Sequence, residues 1–310
     1  MESISNALKA LRFVELSLNA SRVFLKFCIN SYLQHESRLI KIEAILSAFF
    51  LISRLINETK NDETNLNEII DCSLNKLFIC AITDADPSVR YLVLNSLDND
   101  RKLDYFLSLP KNFNMILRCI SDECIEIREL TALFLSDLSS QNTENQTQLV
   151  PFIKEIFNEI KMEIYPDRCE KSIRLISLLI SRLPNSVDFN SFELLSFFHA
   201  KFGEWQGDIT LSSNILVLLG QLASRSNSDS FDFLISFLPF LIESIQDSYH
   251  LQLNQTALWT LCQIIEHTGY VIEPYKKYPN LLQTLLAILQ TETSKQTRRN
   301  TIKALGLIGL

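Results

Sequence analysis

Glycine is scarce, with 6 among 310 residues, and proline is little commoner at 8. Rossmann folds, P-loop enzymes and β-sandwiches need positive-φ turns or close backbone approach to phosphate at many places, so this shortage excludes them. No Gly-x-Gly and no Gly-Lys-Ser/Thr occurs, which removes the usual phosphate cradles. Positive charge is not in excess either. Against 29 Lys and Arg stand 36 Asp and Glu, a net charge of −7, with no basic stripe to suit a nucleic-acid backbone or an anionic membrane surface. The four histidines are followed by Glu36, Ala200, Leu251 and Thr268, so neither a His-Glu-x-x-His zinc pair nor a His-Arg-Asp catalytic loop is present. Cys119 and Cys124 are too far apart for a Cys-x-x-Cys knuckle. The sequence therefore offers no catalytic constellation, no metal site and no cofactor site.

Long apolar runs are missing as well. Ile45 to Ile56 is interrupted by Arg54, and Phe231 to Ile245 carries Asp232, Pro239 and Glu243, whereas a membrane span needs about 20 residues almost free of charge. Met1 to Ala10 lacks the basic region and apolar core of a secretory signal. Seven cysteines, an odd number, lie in or beside helical patterns at Cys28, Cys72, Cys80, Cys119, Cys124, Cys169 and Cys262. They read as free thiols acting as small hydrophobes in a reducing, cytoplasmic setting.

What is present is helix. Hydrophobic residues make up 47% of the chain. Ile4, Ala7, Leu8, Leu11, Val14 and Leu18 follow the i, i+3, i+4, i+7 rule, as do Ile40, Ala44, Ala48, Leu51 and Leu55. Similar patterns predict helices over 65–82, 87–97, 110–120, 124–139, 147–163, 168–182, 190–202, 210–224, 229–246, 251–268, 278–290 and 294–309. Asp86-Pro87 supplies an N-cap acceptor before a proline at the first helical position, with Ser121, Asp122 and Ser186 similarly placed. Gly269 reads as a left-handed C-cap. A chain of this length exceeds what a single core of about 250 to 300 residues accommodates, and so few glycines favour a stack of helices over two compact domains. Trp259 reads as core, while Trp205 falls in the turn Phe202-Gly203-Glu204-Trp205-Gln206-Gly207.

One motif recurs. Asp84 precedes Arg90 by six, Asp122 precedes Arg128 by six, and Glu292 precedes Arg298 by six. Weaker copies stand at Ile40-Lys41, Ile173-Arg174 and Asp247 with Leu253. The spacing of about 38 to 50 residues, or twice that where a copy has degenerated, is the period of HEAT or armadillo repeats, and predicts an all-α solenoid of stacked antiparallel helix pairs. An acid in the turn and an arginine early in the second helix can then bond across neighbouring units as a ladder.

The last sixty residues carry a resemblance. Ala257-Leu258-Trp259-Thr260-Leu261, then Thr268-Gly269-Tyr270-Val271-Ile272-Glu273-Pro274-Tyr275-Lys276-Lys277-Tyr278-Pro279, and Thr297-Arg298-Arg299 with Leu305-Gly306-Leu307-Ile308-Gly309 closely resemble the N-terminal HEAT region of the target-of-rapamycin (TOR) serine/threonine-protein kinases. Asp84-Ala85-Asp86-Pro87-Ser88-Val89-Arg90-Tyr91 and Glu126-Ile127-Arg128-Glu129-Leu130 resemble the same region in the same order. The resemblance covers about residues 66 to 310. It divides the chain into generic HEAT-like helices over 1–65, TOR-like HEAT repeats over 66–250, and the start of the family's conserved domain over 251–310. Two features depart from the family pattern: Asn254 stands near a usually basic position, and Gly203 to Asp208 replaces a proline-rich acidic turn.

The resemblance implies a non-catalytic scaffold segment whose kinase domain lies elsewhere in a longer protein, consistent with a chain ending inside the apolar stretch Ile302 to Leu310. It implies a Raptor-like or Rictor-like subunit and a TOR dimer mate as partners, acting in growth and nutrient signalling. Candidate partner contacts are Trp205, Tyr275, Lys276, Lys277 and Tyr278. The alternative is a stand-alone HEAT adaptor of the transport-receptor or phosphatase-scaffold type, which would share the ladder but not the Thr-Gly-Tyr string.

Overall fold

The computed structural model describes residues 2–58, 63–139, 143–163, 165–183, 187, 189–247, 249–292 and 294–307. Every regular element among them is helical. The chain divides into two compact units, Met1–Gln146 and Thr147–Leu310, so residues 65 and 250 each fall inside a unit.

In the first unit, helices Glu2–Ala10, Arg38–Glu58, Pro87–Asn99 and Ile125–Ser139 pack side by side in that order as one layer. Against them lies a second layer: a helical stretch from Leu18 to Tyr32 with a π segment at Phe24–Ile29, helix Glu63–Thr83 and helix Pro110–Leu117. Ala44, Ala48, Leu51 and Leu55 are completely buried, as their spacing requires. Phe78 and Phe113 fill the space between the layers from the opposite side.

The second unit repeats this plan. Helices Pro166–Arg182, Ile209–Ala223, Leu251–Thr268 and Lys295–Leu307 form one layer in succession. Each is paired with a preceding helix, respectively Val150–Met162, Ser191–Trp205, Leu238–Gln246 and Asn280–Thr291. A helix pair cannot bury its apolar face alone, so each leans on the next, and this defines an all-α solenoid of HEAT/armadillo type.

The helix ends follow local chemistry. Asp86 accepts from the Ser88 backbone N–H at 2.9 Å and Asp122 from that of Cys124 at 2.8 Å. Gly269 closes its helix at φ 69°, a left-handed conformation that any Cβ would strain. Ser186 lies outside the described residues.

Three expectations change. The apolar stripe from Ile4 to Leu18 is not one helix: the first helix ends at Ala10, Phe13 and Val14 face solvent, and Ser17 caps a new start by accepting from the Ala20 N–H. The expected 229–246 helix breaks at Phe237, because Pro239 has no N–H for the Ile235 carbonyl and its ring crowds that turn. Trp205 is the last residue of helix Ser191–Trp205, not a loop residue. No helix among the described residues is long and apolar enough to cross a membrane.

Candidate partner-binding surface

The repeated acids and bases are part of the frame on which any surface is mounted. Pro87 and the Asp86 cap fix the start of helix Pro87–Asn99, placing Arg90 one turn in, with its side chain against the turns of the layer. Arg90 is only 4% exposed. Its Nε donates to Asp122 Oδ2 and its Nη2 to Asp122 Oδ1, both at 2.8 Å, a bidentate fork of the strongest geometry a guanidinium offers. Nη1 donates to the Asp84 carbonyl oxygen at 2.7 Å, and Nη2 also reaches Glu123 at 3.2 Å. The hydrogen bonds that Arg90 donates to Asp122 raise the Arg90 pKa above its ordinary value, against the opposing effect of burial. The Asp84 carboxylate instead pairs backwards, with Lys41 Nζ at 2.5 Å. Within a copy of the motif the link is therefore to backbone, and the side-chain pair joins one copy to the next.

The other members vary. Arg128 Nε donates to the Ile120 carbonyl at 3.0 Å. In the second unit Arg225 donates to the carbonyls of Ile180 and Leu183, across to the preceding helix pair, and stacks 5.5 Å over the Phe189 ring. Asn254 donates to the Ile245 carbonyl. A neutral amide thus satisfies a turn carbonyl at the position that departs from the family pattern. Glu292 accepts from the Ser294 N–H at 2.8 Å within its own turn, and Arg298 is exposed.

The candidate contact residues fall into two groups. Trp205 is 6% exposed and does not serve as a surface anchor. Its ring meets Phe197 and Phe198 edge-on at 6.0 and 6.4 Å, inside an aromatic cluster that continues through Phe157. The pull inward comes from seven- and eight-residue spacing on one helix, which puts Phe198 and Phe197 on the face of Trp205. Tyr275 is half-buried, its hydroxyl 3.5 Å from the Ala304 carbonyl, and burial pushes the phenol pKa well up. Lys276 and Lys277 are exposed, and Tyr278 is half-buried.

Around these residues the surface is grooved. One cleft of about 350 Å³ lies between helix Leu238–Gln246 and the Lys277–Asn280 turn, lined by Pro239, Ile242, Glu243, Gln246, Lys277 and Tyr278. A second, of about 270 Å³, lies on the other side of the same helix, against Gly203, Gln206 and the rings of Phe202 and Phe240. Pro239 and Glu243 border both. The short helix Glu273–Lys277 with Tyr278 after it, and the C-terminal turn of helix Ser191–Trp205, thus flank helix Leu238–Gln246. Sequence reasoning missed Pro239, Glu243 and Gln246, although their i, i+4, i+7 spacing marks a stripe of exposed residues on an otherwise apolar helix.

Among the described residues, no group of three or more His, Cys, Asp or Glu is arranged to hold a metal. The four buried thiols are held protonated. Burial pushes Cys119 and Cys262 up to about 12, and Cys80 and Cys169 up to about 11. What the fold and surface define is a helical-repeat protein built around contacts between helices.

A crystal structure of an engineered protein shares this all-α fold, with a TM-score of 0.54 at 12% identity over 99% of this chain and 74% of that one. Residues 271–310 match the family described as the serine/threonine-protein kinase mTOR domain. The chain is 30% identical over 291 residues to the serine/threonine-protein kinase mTor of Drosophila melanogaster, covering 92% of this chain and 12% of that protein. It is 27% identical over 310 residues to the kinase tor1 of Schizosaccharomyces pombe, covering 99% of this chain and 13% of that protein. To the kinase TOR2 of Saccharomyces cerevisiae it is 26% identical over 292 residues, covering 92% and 11%. These matches liken the chain to an N-terminal, non-kinase segment of the target-of-rapamycin kinases. It spans about an eighth of the length of these curated relatives.

Proposed function

We propose that the chain is a non-catalytic HEAT-repeat scaffold segment of a cytoplasmic TOR serine/threonine-protein kinase. It holds a protein partner, a Raptor-like or Rictor-like subunit or the TOR dimer mate, in growth and nutrient signalling. The observation that carries this reading is the pair of clefts flanking helix Leu238–Gln246, which set the exposed Lys277 and half-buried Tyr278 beside Glu243 and Pro239 on a rigid support. A mixed charged, polar and aromatic rim around shallow clefts suits a protein–protein contact. It binds and positions; the phosphoryl-transfer chemistry of the parent kinase is carried elsewhere.

The test is co-purification of the parent kinase with its Raptor-like and Rictor-like subunits. Lys276→Glu with Lys277→Glu reverses exposed charge and leaves the core untouched, and Glu243→Lys does so from the facing helix. Either variant is expected to lower capture of at least one subunit, or of a second kinase copy, by fivefold or more. Undiminished capture of all three by both variants would remove this surface from the reading.

A further inference from the structure

A groove of about 310 Å³ crosses the other layer of the second unit, over helices Ile209–Ala223, Leu251–Thr268 and Lys295–Leu307. Its lining is peculiar: side-chain amides from Gln221, Gln252, Gln255, Gln296 and Asn300 surround the indole of Trp259, and among the described residues none that lines it is charged. The helices place them there by spacing. Gln252, Gln255 and Trp259 stand at i, i+3 and i+7, while Gln296 and Asn300 stand at i and i+4, so each set forms one stripe. Several of these groups are already oriented: Ser177 Oγ donates to Gln221 Oε1 at 3.0 Å, and Gln296 Nε2 donates to Asn300 Oδ1 at 3.3 Å.

Two further observations point to a ligand. Thr297 lines the same groove at 1% exposure, and among the described residues its hydroxyl has no hydrogen-bond partner, an arrangement that is costly for a buried polar group. Trp259 is held by design of its neighbour: a Cβ on Gly220 would stand 2.3 Å from the indole, so only glycine there lets the ring lie against helix Ile209–Ala223 and wall the groove.

We propose that this groove seats an extended, uncharged segment of a partner protein, with its main chain on the amides and one apolar side chain against Trp259. A side-chain amide carries both a donor and an acceptor, as a peptide unit does, and so pairs with either face of an extended backbone. A helix has already used its N–H and C=O groups internally and offers the amides nothing along its length. A charged segment would lose hydration with no opposite charge in the lining to offset it. The occupant is thus selected by backbone shape and by one side chain. This site is separate from the clefts at helix Leu238–Gln246 and does not rest on them.

The experiment uses fluorescence anisotropy of the full 310-residue chain with dye-labelled, capped ten-residue peptides. One pool has a central Leu, Met, Phe or Val flanked by randomised Ser, Thr, Gln and Ala. Comparison pools carry two Lys, two Glu, N-methyl groups on the two amides beside the centre, or a helix-enforcing staple. The neutral flexible pool is expected to bind saturably, and each comparison pool at least tenfold more weakly. Gln255→Ala, at a half-buried position, should weaken the neutral pool at least fivefold, while Lys111→Glu, at an exposed position of the first unit, should leave it unchanged. Absence of saturable binding overturns the proposal, as does equal binding of the N-methylated pool or tighter binding of the stapled one.

Discussion

Arg90 and Asp122 face each other fork to fork, two parallel hydrogen bonds of 2.8 Å between groups 32 residues apart in sequence, with both side chains some 5 to 6% exposed. Removing one member leaves the other charge buried without compensation, at a cost of roughly 3 to 5 kcal/mol. Arg90→Ala is therefore expected to lower the urea midpoint of the first unit strongly. Arg101, whose side chain is 60% exposed, contacts Asp104 at 3.9 Å and Asp137 at 3.4 Å, and Arg101→Ala should cost less than about 1 kcal/mol. Circular dichroism during urea unfolding measures both, and equal shifts would count against the buried fork.

Gly220 and Trp259 make a second close contact. Gly220→Ala would gain helix propensity elsewhere, yet here the new methyl meets the indole at under van der Waals distance. Overpacking of this kind costs about 1 to 3 kcal/mol. The expected result is a net loss of stability together with a red shift in Trp259 emission, recorded in a Trp205→Phe background. A stabilised variant with unchanged emission would mean that the ring moves aside freely.

The first unit also stores an acidic cluster. Burial raises the Asp104 pKa above its ordinary 3.8, Arg101 lowers it, and the neighbouring Asp100 and Asp137 raise it further. A raised carboxyl favours the folded state in its neutral form. That contribution is complete below 3.8 and is lost as pH climbs through the raised folded value. Asp104→Asn, neutral at every pH, should hence be more stable than the parent at pH 7, with the gap closing towards pH 4. Urea midpoints at the two pH values check this, and a gap independent of pH would assign the effect to packing.

Thiol chemistry gives a residue-by-residue readout of burial. Cys80, Cys119, Cys169 and Cys262 are buried with pKa values pushed to about 11 or 12, whereas Cys72 is exposed and Cys124 half-buried. Iodoacetamide reacts with the thiolate, so at pH 8 in the native state Cys72 and Cys124 should label at least tenfold faster than the buried four. Peptide mass spectrometry resolves each site, and urea should abolish the difference.

The helical frame was legible because apolar spacing and turn chemistry agree along most of the chain. Asp86-Pro87 and Gly269 mark helix ends by their own local physics. The basic and acidic positions at Arg90 and Asp122 were visible through their recurrence. Their pairing from one copy to the next depends on the stacking of helix pairs, which a single motif does not contain. Trp205 was misplaced for a related reason. The glycines at 203 and 207 suggest a turn, but Phe197 and Phe198 lie two helical turns back and draw the indole inward. The amide groove was invisible, since Gln221, Gln255 and Gln296 are remote in sequence and ordinary one at a time.

The ion pairs of Lys41 and Arg90 run forward in sequence, which bears on how the first unit is made. Lys41 pairs with an acid 43 residues later and Arg90 with one 32 residues later. At a synthesis rate of about 5 to 20 residues per second, Arg90 waits roughly 2 to 6 seconds for Asp122 to follow it into existence. During that interval the newest helix pair on the ribosome carries an unmatched cation at its leading face, which keeps that face wet and discourages it from closing on itself or on a neighbouring nascent chain. At these two junctions of the first unit the arriving carboxylate, Asp84 or Asp122, then docks the next helix pair on the one before it.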